Sequence, residues 1–170
     1  MNDKTRDNKV TLVLATRIAQ WWNPIDRFLS SVLRSKYIHS ELIMPDKGCF
    51  SSRGRTKDTN PRVPKGVYLA NVNFKKGKWI KTEFQVSKKQ LDVILLRMIC
   101  ILNKKYDIAG AVFTCGLNIP IDKKSKFWCS EAVAYVLQEC ITTINSDNVK
   151  PVRLLRYINE YNENNFKSED

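Results

Sequence analysis

Residues 127–140 read FWCSEAVAYVLQEC, and in this segment a cysteine stands where a helix is predicted to begin. The apolar residues that follow recur at helical spacing and form one inward stripe, namely Ala132, Val133, Val136, Leu137 and Cys140. This periodicity predicts a helix that begins at Cys129 or Ser130. The N-terminus of a helix offers unpaired amide donors and the positive end of the helix dipole, and both stabilise a thiolate. The segment therefore indicates Cys129 as a candidate nucleophile.

The other four cysteines lack such a position. Cys100 and Cys140 are predicted to lie well inside helices, whereas Cys49 and Cys115 lie outside them with no neighbour that would activate a thiol. We interpret all four as small hydrophobic side chains. The chain has five cysteines and no CxxC pair, so at least one thiol is unpaired in any disulfide scheme, which favours a reducing compartment.

A cysteine nucleophile needs a base within hydrogen-bond reach, and the chain contains a single histidine, His39. Residues 36–44 alternate in polarity, which predicts a strand with His39 and Glu41 on the same face. The sequence Pro-Asp-Lys-Gly at 45–48 predicts a turn after this strand. We therefore expect His39 to lie at the start of a β-hairpin.

The third group, which would orient the imidazole, is either Glu41 or Ser52. A hairpin symmetric about the turn would pair Met44 with Cys49 and Glu41 with Ser52, so that Ser52 would share the face of His39. A slip of one residue would put Ser51 there instead. A carboxylate stabilises imidazolium better than a hydroxyl does, but Glu41 is two residues from His39 along one strand. Both alternatives stay open.

The remaining pattern predicts a single α+β domain over residues 1–170, with an antiparallel sheet packed against helices. We expect a polar leader at 1–9, a mobile loop at 53–65 that includes a solvated Arg-Gly-Arg run, and a fraying tail at 161–170. The predicted strands are 10–17, 36–44, 67–74 and 79–86, with the last two joined by a turn at 75–78. The first predicted helix begins at Pro24, with Asn23 as N-cap, and ends near Arg34. The second runs from the capping box at 87–90 to about 103. The third starts at 129 or 130, and the fourth covers 151–157.

Four tryptophans are present, and we interpret Trp21, Trp22 and Trp128 as core or cleft-wall residues rather than as platforms for stacking bases. The formal net charge of +12 would attract phosphate backbones, anionic lipid headgroups or acidic cell-wall polymers. No signal peptide or transmembrane segment is visible, and we expect a cytoplasmic or virion-packaged protein. A single histidine and the absence of clustered Cys/His spacing lead us to expect no metal and no other cofactor. The sequence does not indicate an oligomeric state.

Four short motifs occur in a characteristic order: His39-Ser-Glu-Leu on a strand, Phe50-Ser-Ser, Tyr106-Asp, and Trp128-Cys-Ser-Glu at a helix start. This order resembles the circularly permuted papain-like superfamily, over roughly residues 10–140. The superfamily includes the NlpC-type cell-wall peptidases and the lecithin:retinol acyltransferase-like proteins, and several bacterial and phage proteins look similar. In these proteins the histidine precedes the cysteine.

The resemblance implies that Cys129 is the nucleophile and His39 the base. It also implies that the hydroxyl of Tyr106 lies near the oxyanion site, which backbone amides at the cysteine would complete. Relatives often carry an acidic or second polar residue on the strand after the histidine, where this chain has Ser51 and Ser52.

Two functional hypotheses follow. The first is a cysteine hydrolase or acyltransferase that cleaves an amide or ester, such as a peptide, a cell-wall peptide or an acyl amide, through an acyl-enzyme on Cys129. The second is a non-catalytic basic virion or nucleic-acid-associated protein on the same scaffold. The high positive charge supports the second hypothesis, but the basic residues are dispersed and form no helix-turn-helix, zinc-finger or RNA-binding motif.

Overall fold

The fold was obtained as a computed structural model, which describes residues 9–54, 65–72, 74, 77–114, 125–147 and 149–167. Its centre is a five-stranded antiparallel sheet. The strands are β1 (Lys9–Ile18), β2 (Tyr37–Met44), β3 (Gly48–Arg53), β4 (Gly66–Ala70) and β5 (Trp79–Ser87). Their order across the sheet is β4-β3-β2-β1-β5. The strand that carries His39 is therefore central and paired on both sides.

In the described part of the chain, four α-helices accompany the sheet: α1 (Pro24–Leu33), α2 (Lys88–Ile101), α3 (Cys129–Leu137) and α4 (Pro151–Lys167). Two short strands, β6 (Lys105–Tyr106) and β7 (Lys126–Phe127), form a separate parallel pair, and a π-helical turn covers Gly110–Thr114. The predicted α+β class, with an antiparallel sheet and helices, is confirmed. Within the described residues, no helix is both long enough and apolar enough to cross a membrane.

The main hydrophobic core lies between one face of the sheet and helices α2, α3 and α4. The sheet contributes fully buried side chains such as Leu14, Leu42 and Phe50, and α3 contributes Ala132 and Val136. Because α3 packs its apolar stripe on β2 and β3, its N-terminus is held against the sheet. This packing fixes the position of Cys129 relative to β2.

Two helix starts follow the predicted local chemistry. Asn23 caps α1, where its side chain accepts hydrogen bonds from Ile25 N at 3.0 Å and Asp26 N at 3.4 Å, and Pro24 is the first helical residue. Ser87 and Gln90 form the predicted capping box of α2, with hydrogen bonds of 3.2 and 2.8 Å. Both predictions are confirmed.

The predicted hairpin register is wrong by one residue. Met44 pairs with Gly48 and Ile43 with Cys49, whereas symmetry about the turn would have paired Met44 with Cys49. Gly48 has a φ of 89° and Asp46 a φ of 57°, so the chain reverses within three residues and Gly48 already belongs to β3. Continuing the register places Ser52 opposite Ser40.

Two strands predicted to be joined as neighbours are not paired. β4 ends at Ala70 rather than near residue 74, and it lies at one edge of the sheet, whereas β5 lies at the other edge beside β1. Nine residue pairs join β1 and β5, from Lys9–Ser87 to Arg17–Trp79, and they bury the apolar alternation of both strands. The pairing of β5 with the distant strand β1 is therefore more stable than a hairpin between β4 and β5 would be.

The C-terminal segment is also more ordered than predicted. α4 continues to Lys167, ten residues beyond the expected end at Tyr157. The hydroxyl of Tyr161 donates to the Gln85 carbonyl at 3.0 Å, and the amide of Asn162 donates to the Glu83 carbonyl at 2.8 Å. These bonds satisfy carbonyls on the edge strand β5 and anchor the helix.

Several predictions fall outside the described residues: Cys115, residues 55–64 of the loop, residues 1–8 of the leader and 168–170 of the tail. Within the described part, Cys140 lies in a turn after α3 rather than inside the helix. Cys49 is buried, Cys100 is exposed on α2, and both are free thiols.

Candidate active site

Cys129 is the first residue of α3, as the sequence predicts. Trp128 before it is extended, with φ −87° and ψ 175°, and its amide donates to Glu131 Oε2 at 3.2 Å, which closes the first turn. The hydroxyl of Ser130 donates to the carbonyl of Val149. These bonds hold the first turn of α3 rigidly, with the buried thiol of Cys129 at the positive end of the helix dipole.

His39 of β2 is the hydrogen-bond partner of this thiol. Its other ring contact is with Glu41 Oε1, which lies 3.2 Å from Nε2. The same imidazole therefore contacts both the thiol and the carboxylate. The ring also lies edge-on to Trp79, with centroids 6.0 Å apart and an interplanar angle of 69°.

Glu41 is fully buried and accepts three interactions on one oxygen, Oε1. Besides His39, the hydroxyl of Tyr68 donates at 3.0 Å and Nη2 of Arg53 forms an ion pair with it. Tyr68 pairs with Ser51 across β3 and β4, so both donors come from strands on the same side of β2. Glu41 is therefore the group that connects the imidazole to a buried cation.

The electrostatics of the site favour a thiolate–imidazolium pair. Burial alone would lower the pKa of His39, but the negative charge and hydrogen bond of Cys129, followed by those of Glu41, raise it to about 9. Burial alone would raise the pKa of Cys129, and the charge and hydrogen bond of His39 outweigh burial and lower it. Backbone hydrogen bonds from Ser40 and Ser130 lower it further. Both shifts favour the thiolate–imidazolium pair over the neutral pair.

Glu41 and Glu131 differ in their charge state. Burial would raise the pKa of Glu41, but hydrogen bonds and charges of His39 and then Arg53 lower it, so Glu41 is anionic at neutral pH. Burial raises the pKa of Glu131 to about 8, with added repulsion from Asp107, and the Trp128 amide opposes this only in part. A protonated Glu131 places no negative charge beside the thiolate at neutral pH.

Ser52 does not face His39. Its hydroxyl donates to the carbonyl of Phe127 at 2.7 Å, on the side of the sheet that receives α3. Ser51 donates to the carbonyl of Ser40 at 2.6 Å instead. The alternative that Ser52 orients the imidazole is wrong, since the hairpin register turns its side chain to the other face. The structure brings Glu41 to His39.

Tyr106 lies in β6 and pairs with Phe127 of β7, two residues before Cys129. Its side chain packs against the small cluster of Leu33, Ile38 and Trp128, and its ring approaches Gly54, where an added Cβ would lie 3.1 Å from the ring. The structure thus places Tyr106 beside the segment that leads into the nucleophile. Its participation in an oxyanion site remains a prediction.

Three residues near the site were not identified from the sequence. The prediction that Arg53 belongs to a solvated loop is wrong, because its side chain is buried beside Glu41. For Tyr68 and Trp79 the sequence predicts only a position in a strand. One signal in the sequence points to Arg53. A buried glutamate requires a partner, and Arg53 is a basic residue at the end of the strand that pairs with the His-x-Glu strand.

The other thiols differ in environment from Cys129. Burial, with the charge of Glu41 adding to it, raises the pKa of Cys49 to about 11, so its thiol is protonated at neutral pH. Burial also raises the pKa of Cys140. Among the described residues, no group of three or more His, Cys, Asp or Glu side chains could hold a metal ion.

No protein-family model matches this chain, and no curated protein matches it.

Proposed function

We propose that this protein is a cysteine hydrolase or acyltransferase of the circularly permuted papain-like type, acting on an amide or ester. The observation that carries the proposal is the continuous series Cys129–His39–Glu41, in which an activated thiol, a base and an orienting carboxylate are joined by hydrogen bonds. The helix start at the cysteine and the strand position of the histidine agree with the resemblance to that superfamily.

In the proposed reaction the Cys129 thiolate attacks the carbonyl carbon of the substrate and forms a C–S bond. The His39 imidazolium donates its proton to the leaving nitrogen or oxygen as the C–N or C–O bond breaks, which leaves an acyl-enzyme and a neutral imidazole. His39 then takes a proton from water or another acceptor, whose oxygen or nitrogen attacks the acyl carbon. The C–S bond breaks and the thiolate is restored.

The tetrahedral intermediate requires donors for its oxyanion. The Cys129 amide lies in the first turn of α3, where N–H groups have no partner within the helix. The amide and the thiol of Cys129 are therefore both at the N-terminal end of α3. Such donors reduce the activation barrier because the negative charge develops where the dipoles already point. Tyr106 is the proposed additional donor.

Glu41 fixes the tautomer and orientation of His39 and stabilises its cation. Arg53 and Tyr68 are positioning residues, because they contact Glu41 and not the reacting atoms. A peptide, cell-wall peptide or acyl amide is the proposed substrate class.

The test uses a p-nitrophenyl ester, whose release of nitrophenolate reports acylation and whose acyl group can be located by mass spectrometry of digested protein. We expect the wild-type protein to carry the acyl group on Cys129, and Cys129→Ala and His39→Asn to lose at least about 10²-fold in the rate. Cys100→Ser is the matched control, since that thiol is exposed on α2 outside the site. Undiminished ester cleavage in Cys129→Ala, or acylation of another cysteine alone, would overturn the proposal.

A further inference from the structure

Helix α1 presents apolar side chains to solvent and a carboxylate to the interior. Ile25 is 39% exposed and Phe28 58%, and the preceding Trp21 and Trp22 are 79% and 60% exposed. Asp26, between them, is buried. The expectation that both tryptophans line the core or the cleft wall is wrong. We call the cluster Trp21, Trp22, Ile25 and Phe28 the docking face.

The cause of this orientation is an ion pair. Nη2 of Arg17 lies 3.1 and 2.9 Å from the two carboxylate oxygens of Asp26. The backbone amide of Gln20 donates to Oδ2 of Asp26 at 3.0 Å. These bonds fix the rotation of α1 about its axis, so that Ile25 and Phe28 point outward. The fold therefore keeps Ile25 and Phe28 exposed and forgoes the free energy that their burial would contribute.

We propose that the docking face binds the surface of an anionic lipid bilayer. Adjacent exposed side chains of this size mark an interaction site rather than ordinary surface. Tryptophan and phenylalanine are the side chains that insert at the boundary between headgroups and acyl chains. Amphipathic helices that present such side chains bind in the plane of this interface.

The basic residues around the docking face favour lipids with negatively charged headgroups. Arg27, Arg34 and Lys36 are exposed on or beside α1, and Nζ of Lys78 lies 5.9 Å from the Trp22 ring. Asp26 is the only acidic residue from 19 to 36, and its charge is neutralised by Arg17. Basic residues that flank inserted aromatic side chains attract anionic headgroups, and the overall charge of +12 adds to that attraction.

A single-stranded nucleic acid fits the face less well. The Trp21 and Trp22 rings are nearly perpendicular, with centroids 5.8 Å apart and an angle of 86°, so they form no continuous platform for successive stacked bases. One ring is approached by Lys78, and the aliphatic Ile25 offers no surface for stacking. Insertion into lipid uses all four side chains.

The docking face adjoins the candidate active site. Lys78, which approaches Trp22, directly precedes Trp79, and the Trp79 ring contacts His39. Arg17, which orients α1, pairs directly with His39 across β1 and β2. If the proposed function holds, docking would bring the carbonyl of a lipid or of a lipid-linked molecule to Cys129; the binding itself does not rest on that function.

The test measures binding of the full chain to phosphatidylglycerol vesicles and to phosphatidylcholine vesicles by co-sedimentation and by tryptophan emission. Ile25→Ser/Phe28→Ser retains all four tryptophans as reporters, and Leu96→Ser/Ile99→Ser is the matched control. The control side chains are 64% and 70% exposed on α2, outside the docking face. Circular dichroism establishes that both variants are folded.

We expect the wild-type protein to bind phosphatidylglycerol vesicles with a blue-shifted emission, to bind phosphatidylcholine vesicles far more weakly, and to dissociate at high salt. The docking-face variant should bind at least about tenfold more weakly, and the α2 control as tightly as the wild type. Cys129→Ala should bind normally, which separates failure of docking from failure of the proposed chemistry.

Absence of binding to anionic vesicles would overturn the inference, as would an equal loss in both double variants. Tighter binding to a single-stranded oligonucleotide, lost in the docking-face variant, would assign the face to nucleic acid instead. Self-association that the docking-face variant abolishes, without vesicle binding, would assign it to a second copy of the chain.

Discussion

Replacing Glu41 with glutamine removes one negative charge from the buried site while preserving the size of the side chain. In the wild-type protein, Glu41 Oε1 lies 3.2 Å from His39 Nε2 and shares the same oxygen with Arg53 and Tyr68. In the variant, the Arg53 cation would have no carboxylate between it and the imidazole. Both changes disfavour the imidazolium, so the pKa of His39 should fall.

The size of the effect follows from the geometry. A full charge at that distance contributes about 5 kcal/mol at an effective dielectric constant of about 20, but glutamine retains an oxygen that still accepts the hydrogen bond. A hydrogen bond to a charged group contributes about 1.5–3 kcal/mol, and one pKa unit corresponds to about 1.36 kcal/mol. We therefore expect the pKa of His39 to fall by about one to two units from its wild-type value of about 9.

The assay is direct because the chain contains one histidine, whose imidazole resonances can be followed by NMR without assignment of others. Glu83→Gln is the matched control, an exposed glutamate on β5 whose side chain lies outside the site. The reasoning is refuted if Glu41→Gln leaves the titration midpoint unchanged, if the control shifts it equally, or if the wild-type imidazole titrates near 6.5.

Two further substitutions test the surroundings of the site. Arg53→Met should lower the free energy of unfolding by about 3–5 kcal/mol, because it leaves the Glu41 carboxylate buried without its cation; chemical denaturation measures this, and a loss under about 1 kcal/mol would contradict it. Ser52→Ala should leave the His39 titration unchanged and cost about 0.5–1.5 kcal/mol of stability, because the Phe127 carbonyl loses one of two hydrogen bonds and keeps the Asp107 amide as donor; a shifted imidazole pKa would restore Ser52 to the site.

Local patterns in the sequence were sufficient for the elements that carry the site. Alternation over residues 36–44 placed His39 and Glu41 on one face, and apolar spacing after residue 129 placed Cys129 at a helix start. Asn23 before Pro24 located the start of α1. Each of these features depends on neighbours within a few residues, which a sequence states directly.

Features that depend on distant pairing were not predictable. Arg53 and Tyr68 are 12 and 27 residues from Glu41, and only the register of β3 and β4 brings them together. The hairpin shift depended on positive φ angles at Asp46 and Gly48, which residue type alone does not fix.

The outward face of α1 is a second case of this kind. The sequence predicts Trp21 and Trp22 as core or cleft-wall residues, but the ion pair between Arg17 and Asp26 fixes α1 with its apolar cluster in solvent. Because Arg17 lies on a strand and Asp26 on the following helix, their contact is visible only in the folded chain. A buried ion pair can thus hold a helix in an orientation that leaves large apolar side chains exposed to solvent.

The central claim is that His39 holds the Cys129 thiol in its ionised form, and alkylation by iodoacetamide across pH tests it most directly. Peptide mapping follows Cys129 and, as an internal reference, the exposed Cys100. The claim predicts that Cys129 in the wild-type protein reacts with a midpoint well below the ordinary value of about 8.5, and that His39→Ala raises this midpoint to or above that value. A wild-type midpoint at or above about 8.5, or one unchanged in His39→Ala, would contradict it.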